Sequence, residues 1–251
     1  MKKYFIALIF LCLLPVSSMA GQITVAAAAN VQFTLDELKA EFTKETGIDV
    51  KTVIGSSGKL TSQIENGAPF DIFMSADMKY PKKVFSDGIA IKEPKVYAYG
   101  YLVLWTSKEV DLSKGVAGLL DSSIKKIAIA SPQAAPYGRQ AVNAMKYYHL
   151  YPVIASKLVY GESISQANQF ITTGAADLGF TAKSVVLSPN MKNKGKWEEV
   201  DPRSYEPIAQ GVVVLRYSLS DHSKEAQAFY DFLFSAPALE IFKKYGYTLA
   251  V

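Results

Sequence analysis

The turn Gly55-Ser56-Ser57-Gly58-Lys59 sets two hydroxyls and two glycines directly ahead of a helical pattern, a composition suited to holding an anion. Glycines there let backbone N–H groups approach a ligand, and the helix N-terminus adds a partial positive charge. The turn is not a nucleotide loop. Val53 stands where the first glycine of that pattern belongs, and Leu60 replaces the hydroxyl that would reach magnesium. Helix capping by serine is the plainer role for the same residues, and the sequence alone leaves both open. The segment Ile23-Thr24-Val25-Ala26-Ala27-Ala28-Ala29-Asn30 repeats the arrangement: an apolar run of buried-strand length that stops at an amide where a helix begins. In open α/β sheets ligands sit beyond the carboxyl ends of strands, so Asn30 is a second candidate for holding an anion.

Other chemistries find few partners. A hydrolase reading would make Ser57 the nucleophile, but the chain offers only His149 and His222 as bases. His149 stands among Tyr147, Tyr148 and Tyr151, His222 lies in a polar turn between Asp221 and Ser223, and there is no G-x-S-x-G elbow. Metal ligation is equally unsupported: no paired histidines, and Asp71 and Asp77 flank a strand without further carboxylates. No basic block suggests nucleic acid or an anionic membrane.

The elements that must position these residues follow from periodicity. Phe33 to Lys44 predicts a helix with Asp36 and Glu37 in its first turn and Gly47 ending it; Val50 to Ile54 predicts a strand, and Lys59 to Glu65 a helix. A third strand is expected over Phe70 to Met74 and a helix over Met78 to Phe85, a β-α-β-α-β progression that implies parallel pairing with right-handed crossovers. After Gly88 the reading is one long strand over Tyr97 to Trp105, a strand over Lys126 to Ala130, and a helix over Gly138 to His149. There follow a helix over Ser165 to Thr173, a buried strand over Ala176 to Thr181, a solvated loop at Lys192 to Lys196, a strand over Gly211 to Arg216, and helices near Lys224 to Phe234 and Ala238 to Tyr245. The long strands near Tyr97 and Gly211 could each carry the chain between two α/β lobes, leaving a cleft between them.

At the start, Lys2 and Lys3 precede an apolar run from Phe5 to Val16, and Ser18-Met19-Ala20 supplies small residues before a cut that would leave Gly21 as the mature terminus. Cutting there lowers the net charge from +4 to +2 and removes Cys12, the one cysteine, so no disulfide or thiolate remains. Stability then rests on a core, which the 49% hydrophobic content can fill.

An ordered set of segments carries a family resemblance: the Ile23–Asn30 run, Gly55-Ser56-Ser57-Gly58-Lys59-Leu60, Gly67-Ala68-Pro69-Phe70-Asp71 followed by Ser75-Ala76-Asp77, Ala135-Pro136-Tyr137-Gly138, and Ala236-Pro237 with Ile241-Phe242-Lys243-Lys244-Tyr245-Gly246-Tyr247. Over nearly the whole mature chain this resembles the periplasmic molybdate-binding proteins of ABC importers. The resemblance implies a type II substrate-binding fold, each lobe a mainly parallel sheet flanked by helices, with lobe 1 over residues 21–100 and 211–251 and lobe 2 over 101–210. It implies an oxyanion held by Asn30 and Ser57 from lobe 1, and by Tyr137 and the backbone amide of Ile164 from lobe 2. Asn30 stands where many members have serine. Where some members place a tyrosine after the Gly-Phe-Thr strand this chain has Ala182, so Tyr137 is expected to supply the hydroxyl. It further implies a periplasmic monomer that is not an enzyme, carries no cofactor and no bare metal ion, binds no nucleic acid, and delivers molybdate or tungstate to a membrane permease.

The chemistry of these residues agrees. A tetrahedral dianion carrying no proton offers only acceptors, and backbone N–H, serine, asparagine and tyrosine groups can all donate to it. Helix N-termini can hold it without lysine or arginine. A phosphate host would be expected to add a carboxylate acceptor, which these turns lack; sulfate has the same charge and acceptors, and only cavity size separates it.

Overall fold

The computed structural model describes residues 21–249. The expected signal peptide over residues 1–20, Cys12 included, lies outside the described residues.

Strand β1 (Gln22–Ala28) passes through a short 3-10 turn at Ala29–Val31 into helix α1 (Gln32–Thr46). Gly47 ends that helix with φ 74°, a left-handed conformation glycine adopts without a Cβ penalty, and its N–H reaches the Thr43 carbonyl at 2.8 Å. Because α1 begins at Gln32, Asp36 and Glu37 fall beyond the first turn, contrary to expectation. There follow β2 (Asp49–Gly55), α2 (Ser57–Glu65), β3 (Ile72–Ser75), α3 (Lys79–Ser86) and β4 (Lys95–Gly100). The second half continues through β5 (Leu102–Thr106), β6 (Ile127–Ala130), α4 (Pro136–Tyr147), α5 (Tyr151–Ile154), β7 (Leu158–Gly161), α6 (Ile164–Thr172), β8 (Leu178–Ala182), α7 (Lys183–Val186) and β9 (Lys196–Glu199). The chain then forms β10 (Ile208–Val214), α8 (Ser223–Phe232) and α9 (Ala236–Lys244).

Two five-stranded sheets result, ordered β2-β1-β3-β10-β4 and β7-β6-β8-β5-β9. The two orders are the same pattern. In each, the first three strands pair in parallel, as the β-α-β-α-β progression requires. The fourth strand, β10 in one sheet and β5 in the other, runs antiparallel to both its neighbours, so each sheet holds one reversed strand. The α/β two-lobed class expected from the sequence is the one observed.

The single strand expected over Tyr97 to Trp105 is two strands in different sheets, broken at Tyr101. Hydropathy runs on across the break because both halves are buried, but their hydrogen-bonding partners change from β10 to β8 and β9. Strand β10 begins at Ile208, three residues before Gly211, and pairs Ile208 with Gly100, so the two chain passes between the sheets run side by side.

Lobe 1 has a core on each face of its sheet. Leu35, Leu38 and Phe42 of α1 pack with Phe229 and Phe242 of the C-terminal helices on one face, and Leu60, Ile64 and Val84 of α2 and α3 fill the other. Phe42 meets Phe229 edge-on at 5.1 Å, a favoured aromatic geometry. The core of lobe 2 reaches across the cleft to Ala28, Ala29 and Ala76 of lobe 1. Those contacts join the lobes in a closed arrangement.

Candidate oxyanion site

Because the sheets share one strand order, the junctions after β1 and β2 in lobe 1 correspond to those after β6 and β7 in lobe 2. All four open at the carboxyl ends of parallel strands, where ligands of open α/β sheets bind. Asn30 follows β1, Ser57 begins α2, Tyr137 stands in the first turn of α4, and Ile164 begins α6. All four are buried and line one small cavity between the lobes. Ala28, Ala29, Ser56, Ala76, Ala135 and Pro136 complete its wall. The lining contains no charged side chain, and the run of alanines lets backbone come close to whatever fills the space.

The serine turn does not cap its helix through a side chain. Ser56 is the N-cap of α2 in extended conformation, yet its hydroxyl makes no capping bond and is buried without a partner. Ser57 Oγ accepts the Ala76 N–H at 3.0 Å, so the hydroxyl proton points elsewhere and is free to be donated. The capping alternative therefore does not describe either serine. The helix over Gly138 to His149 actually starts at Pro136, whose fixed φ and missing N–H suit the first turn. This brings Tyr137 inside the helix, where its N–H and that of Gly138 have no intrahelical acceptor. Ser163 caps α6 through its side chain, accepting from the Gln166 N–H at 3.4 Å, and leaves the Ile164 N–H as a first-turn donor.

Asn30 carries the most extensive network. Its Nδ2 donates to Gln210 Oε1 at 2.9 Å and to the Tyr247 hydroxyl at 3.1 Å, while its Oδ1 is buried without a partner. Ser184 Oγ donates to the Asn30 carbonyl at 2.8 Å from the opposite lobe. Gln210 Nε2 in turn donates to the Tyr137 hydroxyl at 3.3 Å. Burial pushes the Tyr137 phenol well above its ordinary range, with the neighbouring Tyr247 adding to the effect, and burial pushes Tyr247 up to about 12. Both hydroxyls therefore keep their protons at neutral pH. Sequence reasoning missed Gln210, Tyr247 and Ser184. Only the amide of Gln210 inside an otherwise apolar strand offered any signal.

The nearby cations are engaged across the cleft. Arg139, two residues past Tyr137, pairs with Asp77, and Lys59, two past Ser57, pairs with Glu162. Gly58 N–H donates to the Ala134 carbonyl at 2.9 Å, and the Tyr80 hydroxyl to the Gln133 carbonyl at 3.1 Å. These bonds ring the cavity and fasten the lobes around it.

Neither histidine serves Ser57. His222 Nδ1 lies 3.2 Å from Asp71, which precedes β3 and so sits at the amino ends of the parallel strands, opposite to Ser57. His149 follows α4 in a left-handed conformation, φ 57°. Among the described residues no group of three or more His, Cys, Asp or Glu side chains could hold a metal ion, and no helix is long and apolar enough to cross a membrane.

Comparison with known proteins places this architecture. The molybdate-binding protein ModA of Azotobacter vinelandii is 39% identical over 238 residues, covering 94% of each chain. The ModA of Rhodobacter capsulatus is 40% identical over 229 residues, covering 91% of this chain and 88% of its own. The solved structure of the Azotobacter vinelandii periplasmic molybdate-binding protein superposes with a TM-score of 0.84 at 33% identity, covering 91% of this chain and 100% of that one. Residues 23–248 match the family described as bacterial extracellular solute-binding protein, and the chain belongs to that family.

Proposed function

We propose that this protein captures molybdate or tungstate outside the cytoplasm and hands it to the membrane permease of an ABC importer. The observation that carries the reading is the inter-lobe cavity: a buried space whose wall holds hydroxyls, an amide and helix-start N–H groups but no charged side chain. Such a wall suits an unprotonated tetrahedral dianion, which needs hydrogen-bond donors and no proton acceptor. Relatives named for molybdate binding across most of the chain support the same ligand.

In this reading Ser57 donates through its hydroxyl, Tyr137 through its phenol or backbone N–H, Ile164 through its backbone N–H, and Asn30 through its backbone or side-chain N–H. The ligand is cargo and not a cofactor. With two binding junctions on each lobe, the anion is fully bonded only when the lobes close, so binding shifts the population toward the closed form that a permease would read. Lobe 1 comprises the sheet of residues 21–100 with the returning C-terminal segment, and lobe 2 the residues between. A mature chain starting at Gly21, a periplasmic location, a monomeric state and the absence of catalysis belong to the same proposal.

The test is native mass spectrometry of the ligand-free mature protein with equimolar molybdate, tungstate, sulfate and phosphate. A single molybdate or tungstate adduct that survives excess sulfate supports the reading. Preferential sulfate binding would move the protein to another importer, and no adduct would remove the cavity as a binding site.

A further inference from the structure

We propose that Gln210 is a positioning residue whose amide couples Asn30 to Tyr137, so that only one of these two side chains donates to the bound oxyanion at a time. The inference rests on the oxyanion reading of the cavity given above.

Gln210 lies on β10, fully buried. Its Oε1 accepts from Asn30 Nδ2 at 2.9 Å and from the Tyr97 hydroxyl at 3.3 Å, and its Nε2 donates to the Tyr137 hydroxyl at 3.3 Å. In this arrangement the Tyr137 oxygen is occupied as an acceptor, which leaves its proton free for a ligand. Both Asn30 amide protons are meanwhile committed, one to Gln210 and one to Tyr247. Asn30 Oδ1, buried and unpartnered, is what that side chain has left to present.

Directing the Asn30 NH2 to the ligand instead turns Oδ1 toward Gln210 Oε1. Two acceptors cannot face each other at that distance, so Gln210 must turn as well, presenting Nε2 to Asn30 and Oε1 to Tyr137. The Tyr137 proton is then drawn to Gln210 and away from the ligand. Tyr97 and Tyr247 accommodate either arrangement, because a hydroxyl donates or accepts as its partner requires. Gln210, Tyr97, Tyr137 and Tyr247 are paired in both states, whereas Asn30 Oδ1 is unpartnered in the first and paired in the second. A state with both Asn30 and Tyr137 donating to the ligand leaves an acceptor facing an acceptor, which a buried network penalises.

The coupling has a signature that a purely structural glutamine lacks. Removing the Tyr137 hydroxyl releases Gln210 to turn, and Asn30 then takes over as donor. By titration calorimetry with molybdate, Tyr137→Phe should raise Kd no more than about threefold while Gln210 is present. In a Gln210→Met background the relay is gone and both side chains donate independently. There Tyr137→Phe should raise Kd about tenfold or more, the lower end for a hydrogen bond to a charged group. Equal effects in the two backgrounds would overturn the relay while leaving the cavity reading intact. Failure of the wild-type protein to bind molybdate in the same titration would instead overturn the cavity reading. Should Gln210→Met fail to fold, neutron diffraction of the deuterated wild-type protein with molybdate decides the matter. The relay requires exactly one of Asn30 Nδ2 and the Tyr137 O–D aimed at the anion; finding both aimed there overturns it.

Discussion

On the proposed reading the Ser57 hydroxyl has two distinct duties, so replacing Ser57 with alanine separates ligand binding from folding. Its oxygen accepts the buried Ala76 N–H at 3.0 Å, and its proton would be the one donated to the oxyanion. Losing the second duty removes a hydrogen bond to a charged group, about 1.5–3 kcal/mol, which raises Kd roughly 10- to 150-fold at 25 °C. Losing the first leaves the Ala76 N–H without its acceptor in a fully buried place, a cost of about 1–3 kcal/mol to the ligand-free protein. The backbone N–H groups at the start of α2 remain, so binding should weaken and not vanish. Titration calorimetry with molybdate measures the first effect, and urea unfolding of the ligand-free protein the second. A Ser57→Ala variant that is destabilised yet binds within about threefold of wild type would refute the donor role while keeping the packing role.

Asp77→Asn breaks the pair with Arg139 across the cleft, and since both side chains are partly exposed the loss is about 1 kcal/mol at most. Stopped-flow release of molybdate should accelerate up to about fivefold with little change in the rate of capture. Gly138→Ala would set a Cβ 2.0 Å from the Ala130 carbonyl oxygen, a backbone atom that cannot step aside, so a loss of at least 1–3 kcal/mol or outright misfolding of lobe 2 is expected in thermal melts. Burial holds the Asp71 carboxyl above its ordinary 3.8, against the opposing pull of the Thr24 N–H and His222. The folded state then binds the proton more readily than the unfolded one, so this group's contribution to stability rises as pH falls through its raised folded pKa, levelling off below 3.8. The stability of wild type minus that of Asp71→Asn should therefore increase on acidification over that window in urea titrations; a flat or opposite trend would contradict it.

The junctions at Asn30 and Ser57 were legible from a local signal, an apolar strand followed by a small or polar residue at a helix start, whereas Tyr137 and Ile164 came from the family resemblance and the strand before Ile164, β7, was not foreseen. Helix starts slipped by one or two residues at Ser57, Pro136 and Ile164. Strand β9, Lys196-Trp197-Glu198-Glu199, was invisible: it is a charged edge strand, specified by pairing with β5 and not by its own hydropathy. The break at Tyr101 was hidden for the opposite reason, since both sides of it are buried. Gln210 could not be weighed from sequence, because a lone amide in an apolar strand reads the same whether it faces solvent or links two buried side chains. Its three partners lie 73 to 180 positions away along the chain.

The two side-by-side passes between the sheets also set the kinetics of capture. One pass would leave the lobes free to swivel and slide like modules on a flexible tether, which present a partner at an effective concentration in the millimolar range. Two passes, bonded where Ile208 pairs with Gly100 and where the Leu102 N–H meets the Tyr205 hydroxyl at 3.1 Å, leave a single soft rotation. An anion already seated on one lobe then meets the other by travel along one coordinate. Little association entropy remains to be lost at that step, and most of the contact energy of the second lobe is available to slow the anion's escape.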